Sequence, residues 1–351
     1  MRRKIMDWNK LAEKVGLPEY IEFPKIDPVP EGVNRPFWSV MIPTYNRTKL
    51  LEETIISVLK QAPSPEEMQI EVIDNCSPDV DTEKIVEEIG KGRVSFYRQS
   101  YNTGQIGNWN TCINRARGHW VHILHDDDLV LPGFYNRLQS GIEDEPSLGA
   151  AFCRHIYMDE DGHWQYLSLL EMRTSGIFTN SLERLIIPGA IQCPAIVVKR
   201  NTYEKLGGFY PNFKYMFDME MWIRIALNYP LWYEPQPLAC YRSQTSISGT
   251  SALLKSEIPI TEGYKLLEVL NSYFPESKAN TVLPQVKKAI IIFLMDIIRN
   301  NIHQNNLSTA FYQNKELLKY DFSGRVRKGV FGNLILMGKR WINEIKHKFV
   351  I

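Results

Sequence analysis

A chain of 351 residues, 44% of them hydrophobic, can bury one sizeable core and a smaller appended unit, which argues against a disordered or fibrous protein. A formal net charge of +1 argues against nucleic acid as the main partner. The five cysteines (76, 112, 153, 193 and 240) are scattered and include no C-x-x-C pair, so a disulfide framework and a zinc site are both unexpected, and a cytoplasmic location is expected.

Residues 1–36 are polar and punctuated by Pro18, Pro24, Pro28, Pro30 and Pro36, and are expected to form an extension over the main domain, with one short helix around Trp8–Val15. Asp7, Lys10, Glu13 and Lys14 interrupt any secretory apolar run there. From Phe37 the pattern alternates: strand Ser39–Ile42, helix Lys49–Gln61, strand Ile70–Ile73, helix Asp81–Ile89, strand Val94–Tyr97, helix Ile106–Arg115, then an apolar strand through Val121, Ile123 and Leu124. Such alternation predicts an α/β fold, a mostly parallel sheet with helices on both faces. Gly149–Tyr157 and Trp164–Ser168 flank a hairpin signal, Asp159-Glu160-Asp161-Gly162. Ala195–Val198 reads as a strand and Met219–Leu227 as a helix, so the second half is expected to extend the sheet with antiparallel strands on the acceptor side. The sheet domain is placed at 37–250. Residues 251–351 form a C-terminal helical region, with helices over Ile260–Leu270, Gln285–Asn300, Ser308–Tyr320 and Phe331–Lys346. Its most apolar run, Ala289–Met295, is far shorter than the roughly 20 residues of a membrane span.

The chemistry concentrates where strands end. Asp126, Asp127 and Asp128 follow an apolar strand, where carboxylates are depleted unless paired or bound to a cation. They predict either an oxygen-rich site for Mn²⁺ or Mg²⁺, or caps for a helix beginning near Pro132. Pro43-Thr44-Tyr45-Asn46-Arg47, Asp74-Asn75-Cys76-Ser77 and Asn102-Thr103-Gly104 follow the other strands, so four strand ends converge on one crevice. His119, His122 and His125 are spaced by three and cannot converge from a strand; only His125 neighbours the acidic run. Asn102–Gly107 lacks both G-x-G-x-x-G and a Walker A pattern.

In order along the chain, Val40–Arg47, Val72–Ser77, Asn102-x-Gly104, Asn110-x-x-Ile113-x-x-Ala116-x-Gly118, Leu124–Asp128, Gly207-Gly208-Phe209, Phe217–Arg224 and Tyr241-Arg242 resemble family 2 glycosyltransferases of the GT-A fold. The resemblance covers roughly Phe37 to Gly249 and implies an inverting, nucleotide-sugar-dependent transferase, with a UDP-sugar donor and a carbohydrate or lipid-linked hydroxyl acceptor in polysaccharide or glycolipid synthesis. It implies that Pro43, Thr44 and Tyr45 line the nucleotide pocket together with Asn110, that Asp74 accepts from the base, and that Asp126 lies against the ribose. Asp127 and Asp128 are then the metal ligands. Asp218 is implied as catalytic base; on its own it also reads as a cap for a helix starting at Met219. Arg224 would pair with Asp218 or face solvent.

Two other readings of the residues stand beside this one. A sugar-nucleotide nucleotidyltransferase would also set carboxylates beside a parallel sheet, but with a Gly- and Arg-rich loop after the first strand. A non-catalytic sugar-binding protein would keep the fold without the chemistry. Residues 325–351 carry seven Lys or Arg against one acid, interleaved with Phe331, Leu334, Ile335, Trp341 and Ile342. That composition suits a helix resting peripherally on the inner membrane face, or a helix packed on the core with a basic outer side.

Overall fold

The computed structural model describes residues 22–179, 181–243 and 249–348; the helix expected around Trp8–Val15 lies outside them. In chain order the elements are β1 (Trp38–Thr44), α1 (Lys49–Leu59), β2 (Met68–Asp74), α2 (Thr82–Gly90), β3 (Ser95–Arg98), α3 (Gly104–Arg115), β4 (Trp120–Ile123), β5 (Leu129–Val130) and α4 (Phe134–Ile142). There follow β6 (Ala150–Met158), β7 (Trp164–Leu167), β8 (Gly176–Ile177), α5 (Ser181–Leu185), β9 (Ile196–Lys199), α6 (Arg200–Leu206), α7 (Phe217–Asn228) and β10 (Leu231–Arg242). Helices α8 (Gly249–Leu254), α9 (Ile258–Asn271), α10 (Glu276–His303), α11 (Leu307–Tyr320) and α12 (Gly324–Lys348) complete it.

Strand order is β3-β2-β1-β4-β9-β6-β10-β5. The first four strands are mutually parallel, and all seven residues of β1 and of β2 are buried, as strands covered on both faces must be. Side chains alternate between two cores. Trp38, Val40 and Ile42 pack with Leu51, Ile55 and Val58 of α1 and with Phe134 and Leu138 of α4. Met41, Ile73, Val121 and Ile123 face the other way, toward Trp109, Cys112 and Ile113 of α3 and Ile223 of α7.

Strand β9 is antiparallel to both β4 and β6, as expected of the second half, whereas β6 and β10 pair in parallel. That pairing is possible because antiparallel β9 returns the chain to the level of Ala150, which pairs with both Val198 and Leu231, and α6 and α7 then link it to β10 on the other side of β6. The Asp triplet does not cap the next helix: β5 intervenes, and α4 starts after Gly133 at φ 91° with no side-chain cap. Two C-terminal helices are longer than their sequence pattern implied. Helix α10 runs through Pro284, held on either side by buried Ala279, Leu283 and Val286. Helix α12 crosses Gly329, where a Cβ would lie 2.6 Å from the Met295 side chain, so this glycine permits close helix approach rather than ending the helix.

Candidate active site

Thr44 is in register with Asp74 and Asp74 with Arg98, so the turns after β1, β2 and β3 open at one level. Asn46 (φ 53°) and Cys76 (φ 61°) adopt left-handed conformations, and the Asn46 N–H donates to Ser77 Oγ at 2.8 Å, pinning the first turn to the second. With the turn after β4 they enclose a cavity of about 590 Å³. Its wall includes Pro43, Thr44, Tyr45, Arg47, Asn75, Asn108, Trp109, His125, Asp126 and Asp127, closed by Tyr241 and Arg242 of β10.

The three aspartates occupy different environments. Thr44 Oγ1 donates to Asp126 Oδ2 at 2.6 Å, and the Arg47 guanidinium lies 3.6 Å from Asp126 and 2.9 Å from Asp127. Asp128 is fully buried, accepting the Arg242 N–H at 2.7 Å, with His125 Nδ1 3.1 Å away. The Arg242 side chain donates to the Asp127 carbonyl and to Glu53, each at 2.8 Å, which fixes the triplet's backbone. Burial, then the neighbouring Asp127 charge, pushes the Asp126 carboxyl up to about 7, although Arg47 and Thr44 oppose the rise. Burial also raises Asp128 to about 6 against the pull of its hydrogen bond to His125. Burial disfavours the His125 imidazolium, yet hydrogen bonds to Asp128 and Cys193 hold its pKa well above the ordinary value.

His125, Asp127 and Asp128 offer ligand atoms within 4.8 Å of one another. The two carboxylates, Asp127 and Asp128, are a donor set that fits a hard divalent cation. As the strand geometry required, His122 does not join them: it sits between Pro194 O (3.1 Å) and Tyr135 OH (3.2 Å), and burial lowers its pKa to about 3.

Four sequence expectations change here. Asp74 lies beneath the cavity wall rather than in it: being fully buried, its carboxylate needs partners, and it accepts from the Ser77 N–H and hydroxyl and pairs with Arg98. Its neighbour Asn75 is the wall residue. Asn110 is not a cavity residue either, because both ends of its amide are taken by the Phe209 backbone, at 2.8 and 2.9 Å. Asp218 lies inside α7 as its second residue, so it does not cap the helix from Met219; its Oδ1 accepts the Met219 N–H at 2.7 Å. Arg224 neither meets Asp218 nor faces solvent. It is buried, paired with Glu220 at 2.8 Å, and donates to the carbonyls of Leu206, Gly207 and Gly208.

Asp218 is partly exposed, and its carboxyl is pushed up to about 6, chiefly by burial, while the Met219 N–H and the His125 charge pull it down. Glu262 of α9 accepts the N–H groups of Lys214, Tyr215 and Met216 at 2.6, 2.8 and 3.0 Å, fixing the segment that leads into Asp218. Sequence spacing carried no sign of Glu262. Trp109 packs against both His125 and Phe217 and so joins the acidic turn to the start of α7.

Residues 39–207 match the family model of glycosyl transferase family 2. This stretch belongs to that family. It is 37% identical over 106 residues to the GalNAc(5)-diNAcBac-PP-undecaprenol beta-1,3-glucosyltransferase of Campylobacter jejuni, an overlap covering 29% of this chain and 33% of that enzyme. The chain thus spans about a third of that relative's length. Among solved structures, residues 1–349 of S. aureus TarS in complex with UDP-GlcNAc superpose with a TM-score of 0.60 at 15% identity, covering 87% of this chain and 92% of that one. A Pyrobaculum calidifontis mannosyltransferase in complex with GDP-Man and Mn²⁺ gives 0.50 at 17% identity, covering 95% and 92%. The fold is GT-A, and residues 39–207 carry the family 2 glycosyltransferase pattern.

Proposed function

We propose that the chain is an inverting, divalent-metal-dependent transferase that moves a sugar from a UDP-linked donor to a hydroxyl of a carbohydrate or lipid-linked acceptor in polysaccharide or glycolipid synthesis. The observation that carries this reading is the acidic rim: Asp126 tied to Thr44 and Asp127 tied to Arg47 on the cavity wall, with Asp128 and His125 directly behind. Pro43, Thr44, Tyr45 and Asn75 would face the nucleoside, Asp126 the ribose, and Asp74 the base once it exchanged the Ser77 hydroxyl for a base N–H. Asp127 and Asp128, with His125 beside them, would hold Mn²⁺ or Mg²⁺, which supplies positive charge where the leaving diphosphate gathers negative charge. Arg47 adds a fixed cation on the same rim.

Asp218 is the proposed base. The acceptor oxygen attacks the anomeric carbon, the bond from that carbon to the diphosphate oxygen breaks, and the hydroxyl proton passes to the Asp218 carboxylate. A pKa near 6 leaves this group mostly ionised at neutral pH yet basic enough to take a proton. Residues 37–250 would form the catalytic unit. Residues 251–351 buttress it through Glu262, and set the enzyme peripherally at the inner membrane face, where a lipid-linked acceptor would lie.

A thermal-shift and nucleotide-release screen with UDP-, GDP-, dTDP- and CMP-sugars, with and without Mn²⁺, tests the reading. The expected result is a rise in Tm with a UDP-sugar that needs Mn²⁺, and UDP release stimulated by bacterial lipid extract. Equal behaviour of all four donors, or none binding, would overturn it.

A further inference from the structure

Helix α12 has two apolar stripes, and among the described residues only one of them has a partner. Val326, Val330 and Asn333 are buried, and Asn333 Nδ2 donates to Asn314 Oδ1 of α11 at 2.9 Å, so this side completes the helical layer. The other stripe runs through Phe331, Leu334, Ile335, Trp341 and Ile342, positions that share one face at helical spacing. Phe331 is 66% exposed and Trp341 59%. Phe322, 68% exposed just before the helix, extends the same surface under Arg327, whose guanidinium lies 5.1 Å from its ring. A contiguous exposed stripe of this kind is uncommon on a monomer and marks an interaction surface.

The charge around the stripe identifies the partner. Arg325, Arg327, Lys328, Lys339 and Arg340 lie on α12, and residues 324–342 contain no acid. Lys328 and Lys339 fall beside the apolar face, where long cationic side chains meet phosphate headgroups while the apolar residues enter the acyl boundary. A second copy of this chain would bring the same cations face to face, and lysine is depleted at protein interfaces. We infer that the outer face of α12, from Phe322 to Ile342, docks in plane onto a bilayer rich in anionic phospholipid. This deepens the peripheral placement proposed above by naming the lipid class and the face, but it depends on this surface alone and not on sugar transfer.

The orientation has a functional consequence. Helix α12 packs on α10 and α11, α10 packs on α9, and α9 carries Glu262, which fixes the segment leading into Asp218. A docked α12 would therefore hold the acceptor side of the site at a set height above the headgroups.

The test is flotation of the full chain with vesicles of phosphatidylcholine alone or with roughly one-third phosphatidylglycerol, at low and high salt. The chain should float with the anionic vesicles, and high salt should weaken that binding. Phe331→Ser with Ile335→Ser should reduce binding about tenfold or more, since each buried apolar side chain contributes strongly. Lys328→Gln with Lys339→Gln should reduce it on the order of tenfold, and only on anionic vesicles. All four side chains are exposed, so Tm should stay at the wild-type value and UDP-sugar binding should be unchanged. Failure to float, or equal flotation of the serine variant, would overturn the inference. So would a wild-type dimer in light scattering that the serine substitutions dissociate, because the stripe would then be occupied by a second copy.

Discussion

Arg47 spans Asp126 and Asp127: its Nη1 stands 2.9 Å from Asp127 Oδ2 and its Nε 3.6 Å from Asp126 Oδ1. One guanidinium thus partly neutralises the two carboxylates that face the cavity, in the region where a divalent cation would also be drawn. Removing it should leave the carboxylates uncompensated. Arg47→Ala is therefore expected to lower Tm in metal-free buffer and to show a larger Tm rise on adding Mn²⁺ than the wild type does. An equal Mn²⁺ effect in both proteins would mean that arginine and cation do not share these oxygens.

Asp218 gives a pH prediction and a stability prediction of opposite benefit. Its carboxyl must be ionised to accept a proton, so turnover should fall as pH drops through about 6. Asp218→Asn should leave UDP-sugar affinity intact and lower kcat on the order of 10²- to 10⁴-fold. Burial raises this carboxyl in the folded chain above its ordinary 3.8, so the fold binds the proton more tightly than the unfolded chain. The ionised group therefore costs stability as pH rises from about 4 through about 6, and the full cost is present at neutral pH. Asp218→Asn should accordingly raise Tm at pH 7 and leave it little changed in acid. Scanning calorimetry at the two pH values checks the sign.

Glu262 is expected to act through the segment it holds. In Glu262→Gln one oxygen that accepts an N–H is replaced by an NH₂ group that cannot, and charge-assisted bonds contribute about 1.5–3 kcal/mol each. The expected outcome is a loss of kcat of about tenfold or more with donor KM little changed. The Glu262 charge also raises the Asp218 pKa, so the acid limb of the pH profile should move to lower pH in the variant. A fall in Tm with an unmoved pH profile would mean that Glu262 only stabilises the fold.

The Asn110 amide, taken up by the Phe209 backbone, separates family pattern from geometry. Asn110→Ala should cost about 1–3 kcal/mol of stability by leaving buried backbone groups unpaired, with UDP-sugar affinity unchanged in the protein that remains folded. Denaturant unfolding beside a binding titration separates the two effects.

The parallel half of the sheet was legible because burial on both faces forces apolar runs such as Val40-Met41-Ile42 and Val72-Ile73, and loop residues collect at their ends. Asp126 and Asp127 were legible for the same reason: charge at the end of a buried strand needs an explanation. The partners of those groups were not. Arg242 reaches Asp127 and Asp128 from more than a hundred residues away, and Glu262 reaches residues 214–216 from another helical layer, contacts that no local spacing encodes. Asn110 and Arg224 were read as site or surface groups, and Asp74 as a group in the cavity wall, because polarity shows in sequence while burial does not. In the fold each polar atom found a backbone or side-chain partner instead. The parallel β6–β10 pair was missed because the pattern of β9, α6 and α7 does not reveal on which side of β6 the next strand lies.

The central claim is that the Asp126–Asp128 rim binds a nucleoside diphosphate through a shared cation. Calorimetric titration of UDP into wild type and Asp127→Ala, each with Mn²⁺ and with chelator, tests it most directly. The account predicts tight binding only for wild type with Mn²⁺, weakened about tenfold or more by either chelation or the substitution, with no further loss when the two are combined. Equal UDP affinity in all four titrations would contradict it.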